Sequence, residues 1–338
     1  SFFSSSVLAN TNVRAEKQHE TEIGIDLGFL KNRINFTFNY YVKKVEGLLF
    51  PRQIAPTSGF SSFLDNFGHI ENKGFEIVLN ATPLKCKDFS WDVTGIFNHN
   101  RNKVTGIGQG VISPATNSGA PVAIIEGQPL GVFYGTFFAK DANGNQLKNA
   151  AGIPQMEKGK QDGVLNYAPQ RDLAGLPTGT TLRKIIGDPN PDYTTSLINT
   201  FNYKGFALRI QFDAVKGGDV FNADFRTRQG VGNGDVAEKE HNGQLPRGYI
   251  AGIYPIEEWR ISDGSFTKLR ELSLSYNFGK LKWLSDLTAS FSGRNLISWD
   301  HYNGFDPETN AAGQSTILRG IDFGNVPIPR TFSRSEER

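Results

Sequence analysis

The sequence predicts an all-β chain: an antiparallel transmembrane β-barrel segment of nine strands and part of a tenth, with short turns at one end and long loops at the other. Three observations predict it. Apolar and polar residues alternate with period two in run after run. Turn formers and aromatics abound, with 37 glycines, 16 prolines and 12% aromatics in 338 residues. The connections between the runs alternate between short and long. No stretch of 18 apolar residues occurs, which excludes a transmembrane helix but is blind to alternating strands.

The first run sets Ile23, Ile25, Leu27 and Phe29 against Glu22, Gly24, Asp26 and Gly28. After the polar turn 30–33 the alternation resumes, with Ile34, Phe36, Phe38, Tyr40 and Val42 opposing Asn35, Thr37, Asn39, Tyr41 and Lys43, so the two runs make a hairpin. Phe75, Ile77, Leu79 and Ala81 begin a second hairpin, which turns through 83–88 and returns through Phe89, Trp91, Val93 and Phe97. A weaker strand is expected around 127–140. Leu197 to Tyr203 then pairs across Lys204-Gly205 with Phe206, Leu208, Ile210 and Phe212. Leu272, Leu274, Tyr276 and Phe278 pair with Leu287, Ala289 and Phe291. A last strand begins near Arg330 and breaks off in the polar ending 333–338, so a closing strand is read as lost or replaced.

Long segments rich in Gly, Asn and Pro fall at 51–66, 104–126, 141–190, 216–262 and 299–328. Compact soluble domains seldom carry several loops beyond about 12–15 residues, whereas outer-membrane barrels pair short periplasmic turns with long extracellular loops. Ile34 to Val42 spans roughly 26 Å at about 3.3 Å per step, which a tilt of about 40° brings close to the apolar band of a membrane barrel. Phe29, Phe89, Trp91, Tyr203, Phe206, Tyr276, Phe278 and Trp283 gather beside the short turns, as an aromatic girdle would. A soluble β-sandwich remains the alternative that periodicity alone leaves open.

The charges nearly cancel at +2, which argues against a nucleic-acid partner. Cys86 has no disulfide partner, and the histidines at 19, 69, 99, 241 and 301 form no zinc motif. Asp141 to Asn145 opens like a calcium loop but carries Gln146 and Gly152 where Gly and Glu belong, so a tight Asn-Gly turn is expected instead. The glycine strings 106–110 and 230–234 lack the context of a phosphate cradle. Glu257-Glu258 and Asp188 with Asp192 give no sign of converging on one bond. No catalytic residue, cofactor or metal site is expected, and the chain does not read as an enzyme.

Eight strings in order resemble the C-terminal barrel region of the SusC/RagA family of TonB-dependent outer-membrane transporters. Glu71 to Glu76 with Leu79 to Pro83 is similar to the family's "NKGxE…LNATP" element, and Glu126 to Gly135 to its "EGxPxGxFYG" strand. Gly187 to Tyr193 is similar to "GDPNPxY". Tyr203 to Phe206, Asp263 to Phe266, Gly293 to Leu296, Gly304 to Glu308 and Ile328 to Phe332 complete the series. Most have a scaffold reading: Pro189 and Pro191 hold a strand lead-in extended, and Gly205 permits a tight turn.

The resemblance implies that residues 1–338 are the C-terminal part of a plugged barrel of about 22 strands, with the plug domain and the N-terminal strands outside this chain. It implies import of a glycan or peptide fragment across the outer membrane of a Gram-negative cell, with the loops extracellular. TonB would supply the energy through the missing N-terminal region, and a SusD-like surface lipoprotein would act as a lid. The outer-membrane lipid would contact the apolar faces. Asp26, Asn39, Glu76, Asp92, Arg209, Gln211 and Arg294 are the candidate lumen-facing residues. Phe221, Phe225, Tyr249, Tyr254, Trp259, Trp299 and Tyr302 are the candidate cargo or partner contacts, because aromatic faces suit sugars and apolar side chains. A non-transporting fragment or split-gene barrel piece, or a soluble carbohydrate-binding β protein, is the competing reading.

Overall fold

The computed structural model describes residues 7–337 apart from 55, 61, 109, 115, 117, 282 and 283. Trp283 of the expected girdle lies outside the described residues. Among the described residues nine strands build a wall: β1 (Lys17–Phe29), β2 (Ile34–Glu46), β3 (His69–Lys85), β4 (Phe89–Thr105), β5 (Pro191–Tyr203), β6 (Phe206–Gly217), β7 (Phe266–Leu281), β8 (Leu284–Asp300) and β9 (Thr331–Glu337). Each pairs antiparallel with the next, so the wall is an up-and-down meander with β1 and β9 at its edges.

The alternation read from the sequence fixes the register, because a slip of one residue would turn every side chain to the other face. Directly paired residues run Leu27, Phe36, Leu79, Gly95, Leu197, Phe212, Leu269 and Ile297 across β1 to β8 on one face. The adjacent row runs Asp26, Thr37, Val78, Ile96, Ser196, Asp213, Lys268 and Ser298 on the other. Aromatic rings reinforce the apolar face: Phe38, Phe75, Phe97 and Tyr193 stack in sequence at centroid distances of 6.2, 5.8 and 5.2 Å. Near the short turns Trp91 stacks on Phe201 and Phe206 meets Tyr276.

Two glycines have defined uses. Lys204 and Gly205, with φ of 45° and 88°, form the two-residue turn between β5 and β6, a conformation suited to the twist of a hairpin. Gly74 lies under the Tyr41 ring, and a Cβ there would meet the Tyr41 hydroxyl at 2.5 Å. The ring covers the gap that the glycine leaves in β3.

The strand expected at 127–140 is absent from the wall. Val122–Ile125 and Val132–Gly135 pair with each other and extend, through Lys184–Gly187 and Val111–Ile112, into a separate four-stranded sheet. The residues give the reason: Val122 to Ile125 is a continuous apolar run, and it is buried on both faces together with Val132 and Phe133 of its partner, whereas a wall strand alternates. Segments 106–190 are therefore one excursion, and the wall has four long connections where five long loops were expected.

These connections fold together as a cap. One cluster joins Ala120, Val122 and Phe133 to Phe221, Ala223 and Ile321, which come from three different connections. A second unites Leu48, Val104, Ile124 and Leu130. The connection from β6 to β7 holds three short helices that the sequence reading did not contain, α1 (Ala223–Gly230), α2 (Asp235–His241) and α3 (Tyr249–Ile253).

The ending corrects another expectation, because Thr331 to Glu337 is a seven-residue strand paired to β8. Backbone pairing needs no apolar side chain. Ser333 meets Ser292 across the polar face at 2.7 Å, while Arg334 and Glu336 stand opposite Phe291 and Ala289 on the apolar face.

Candidate functional site

The polar face of the wall brings together all seven residues read as lumen-facing. The Thr37 hydroxyl donates to Asp26 and the Thr82 hydroxyl to Asp92, each at 2.6 Å. Asn39 sits between Gly24 and Glu76 in register. Gln211 donates to Asp213 at 3.0 Å. Arg209 and Arg294 both reach Glu271, at 3.4 and 3.0 Å.

Glu271 belongs to a larger network that the sequence reading missed. Lys268, with only 4% of its side chain exposed, places Nζ 2.6 Å from Asp306 and 3.0 Å from Glu308. Arg270 donates to Asp213 at 2.7 Å, to Asn295 at 2.9 Å and to Glu308 at 2.9 Å. The connection from β8 to β9 is thereby strapped onto the polar face of β6 and β7. A backbone device makes this possible. The pairing of β7 slips between Leu269 and Glu271, and Asn295 on β8 takes a left-handed φ of 54°. The bulge turns Arg270 and Glu271 to the same face. A signal was present in Leu269-Arg270-Glu271-Leu272, where two charged residues interrupt the alternation.

Two of the family-like strings also meet. Leu130 N–H donates to the Asn102 side chain at 2.6 Å, Asn102 donates to Asn190 at 3.1 Å, and Asn190 donates to Leu130 C=O at 3.1 Å. These strings hold the cap to the wall.

The loop aromatics divide. Phe221 is fully buried beside Phe133, and Tyr302 is buried with its hydroxyl donating to Asp322 at 2.6 Å, so both pack the cap instead of offering a contact surface. Burial and the neighbouring Asp322 push the Tyr302 hydroxyl well above the usual phenol range. Trp299 is paired with Thr267 near Phe212 on the apolar face, away from the cap's interior. Tyr254 lines a cavity of about 940 Å³ with Glu240, His241 and Arg247. Tyr249 and Trp259 line another of about 450 Å³ with Phe138 and Leu245, and Phe225 packs edge-on against Trp259 at 5.0 Å.

The carboxylates considered for chemistry serve as scaffold. Glu257 accepts from Thr136 N–H and Glu258 from Phe138 N–H, at 2.9 and 2.8 Å. Asp141 accepts from the N–H groups of Asn143 and Asn145, closing a tight turn. Among the described residues no three His, Cys, Asp or Glu side chains are placed to hold a metal ion.

A meander of long strands with one apolar and one polar face, capped at one end, defines a segment of a transmembrane β-barrel wall. The family model described as "TonB dependent receptor-like, beta-barrel" matches residues 1–296, and the chain belongs to this family. It is 31% identical to a TonB-dependent receptor of Formosa agariphila over 96% of its own length and 34% of the relative's. It is 25% identical to the TonB-dependent receptor SusC of Bacteroides thetaiotaomicron over 96% of this chain and 32% of that one. A structure of the RagAB peptide transporter matches with a TM-score of 0.72 at 20% identity, over 95% of this chain and 35% of that chain. The chain thus spans about a third of the length of its curated relatives. These relatives are receptors and transporters, not enzymes.

Proposed function

We propose that residues 1–338 form the C-terminal wall and cap of a SusC-like importer in the outer membrane of a Gram-negative bacterium, the plug and N-terminal strands belonging to the rest of the barrel. The observation that carries this reading is the two-faced sheet whose edge strands have no pairing partner on their outer side among the described residues. In lipid each unpaired backbone N–H or C=O costs several kcal/mol, so an edge such as β1 needs a further strand beside it. The polar face carrying Asp26, Asn39, Glu76, Asp92, Arg209, Gln211 and Arg294 then lines the lumen, and the cap lies outside the cell.

Peptide cargo and TonB coupling follow what the RagAB peptide transporter and the TonB-dependent receptors are named for; glycan cargo and a SusD-like lid rest on the resemblance of the sequence strings alone. Tyr249, Tyr254 and Trp259, which line the cap's cavities, are the aromatics best placed to meet cargo. Spin labels test the orientation. Labels at Phe36, Leu208, Ile210 and Leu274 should be quenched by a lipid-soluble agent, and labels at Thr37, Arg209, Gln211 and Ser275 by a water-soluble one. Equal access of the lipid-soluble agent to both sets would overturn the barrel reading.

A further inference from the structure

Among the described residues, every buried side-chain N–H group without a partner in the chain falls between Asn222 and Arg260: Asn222 Nδ2, Arg226 Nε, Arg228 Nε, Trp259 Nε1, and Nε and Nη1 of Arg260. Arg228 turns aside over the Phe305 ring, towards the Asp322 carboxylate. Asn222 and Arg226 lie at the start of α1, and Trp259 and Arg260 on the 3-10 turn Glu258–Arg260 that packs against this helix. Asn222, Phe225 and Arg226 share one side of the helix by their spacing of three and four. Phe225 touches Trp259, Arg226 lies 4.6 Å over the Tyr254 ring, and Arg260 lies 5.0 Å over the Phe221 ring.

Among the described residues no carboxylate hydrogen-bonds these donors, although the Glu257 charge acts on Arg260 from a distance. Glu257 is engaged with Thr136 N–H and with Arg183 at 3.2 Å. Arg260 is 2% exposed and makes no ion pair among the described residues. Burial and the adjacent Arg226 hold its guanidinium down at about 10, which still leaves it protonated near neutral pH. Aromatic faces offset part of the cost of burying the Arg260 cation and half-burying the Arg226 one, and ordered water can satisfy single N–H groups. Neither neutralises the charge, and Glu257, shared with Arg183, offsets only part of it; a buried charge left without a hydrogen-bonded counter-charge is strongly unfavourable.

We propose that this junction is an oxyanion site, in which the guanidinium groups of Arg226 and Arg260 share one carboxylate, sulfate or phosphate, with Trp259 Nε1 and Asn222 Nδ2 as neutral donors. Planar guanidinium groups match such anions in paired hydrogen bonds. The cavities lined by Tyr254 and by Trp259 flank the junction. The oxyanion has two possible sources: an acidic group on a bound ligand, or a carboxylate from protein outside this chain. The site stands or falls independently of the transport reading.

The test compares melting of the full-length protein in detergent with sodium sulfate and with sodium chloride at equal ionic strength, for the wild type, Arg226→Met and Arg260→Met. Arg226 is only half-buried, so its variant carries the test even where Arg260→Met misfolds. A sulfate-dependent rise in melting temperature, with apparent affinity about tenfold weaker or more in Arg226→Met, identifies a site open to external anions. No sulfate effect, but melting lowered in Arg226→Met at pH 7 and equal to the wild type below about pH 4, where carboxylates protonate, identifies a carboxylate of the protein as the occupant; a deficit that persists there reflects the lost Tyr254 contact alone and overturns the proposal. A sulfate effect unchanged by the substitution, or no sulfate effect with Arg226→Met melting at or above the wild type, overturns the proposal.

Discussion

In the wall, apolar side chains stand uncovered, with Ile23 64% and Phe291 57% exposed, whereas in the cap Phe133 and Phe221 have no exposed surface at all. The residue types are the same, and the difference lies in the surrounding medium. A cap meets water on its outside and must collect its apolar groups inward, from several connections at once. A wall that meets lipid turns them outward and, apart from residues near its ends such as Arg334 and Glu336, keeps its charges on the opposite face, where ion pairs and water receive them. Sequence patterning follows the medium: alternating in β2 and β6, continuous in Val122–Ile125.

The comparison can be broken most sharply in the cap. Phe133→Ala should destabilise the cap by about 3–5 kcal/mol while leaving the wall assembled. Limited proteolysis would show faster cleavage within 106–190 with unchanged heat-modifiable mobility on gels; loss of both together would mean that cap and wall fold as one unit. On the wall, Ile210→Arg should cost about 2–4 kcal/mol if the site lies near the bilayer midplane, and Gln211→Arg close to nothing. Refolding into lipid vesicles against urea measures both, and equal effects would dissolve the distinction between the faces.

The strap between the two regions is the next target. Lys268→Met leaves Asp306 and Glu308 with less compensation and should cost about 1–3 kcal/mol, read as earlier release of the 301–330 segment in hydrogen exchange. Replacing Arg334 and Glu336 by Leu should stabilise the wall by up to about 1 kcal/mol each, the value for charges on a lipid face near an interface. A destabilisation would show that this part of β9 faces water.

The smallest effect concerns acid. Burial raises the Asp322 carboxyl above the usual range, and Asp224 and Asp306 nearby add to this. Its folded value lies above its unfolded one, so its contribution to cap stability is fully present below about pH 3.9 and is lost as pH rises through the raised value. Asp322→Asn keeps an acceptor for the Tyr302 hydroxyl and should flatten that slope in urea titrations of the cap at pH 4 and pH 7.

The wall was legible because its rule is local: period two, a short turn, period two again. Ile34 to Val42 and Phe206 to Phe212 sit where the alternation put them. The cap was not, since nothing local tells Phe221 that its neighbours are Phe133 and Ile321 from other connections. The same limit hid the charge network. Asp213 and Glu308 are 95 residues apart by their numbers, yet both bond Arg270 because a bulge re-aims one side chain. The family-like strings fared better than the aromatics, since Asn190 and Leu130 act through short hydrogen bonds between side-chain amides and backbone, whereas Phe221 and Tyr302 are aromatics that the cap consumed.

The turns of the 139–178 segment close upon themselves. Asp141, Asn149 and Asp172 each accept two backbone N–H groups from within four residues, and Gly144, Gly152 and Gly175 each complete the turn. A hairpin that carries its own closure asks little of its neighbours. Loop-closure entropy rises by only about 0.6 kcal/mol per doubling of length. Such hairpins are units that insertion or deletion in a gene can add or remove without disturbing the register of the wall, which leaves the cap free to change in size while the strand pairing beneath it stays the same.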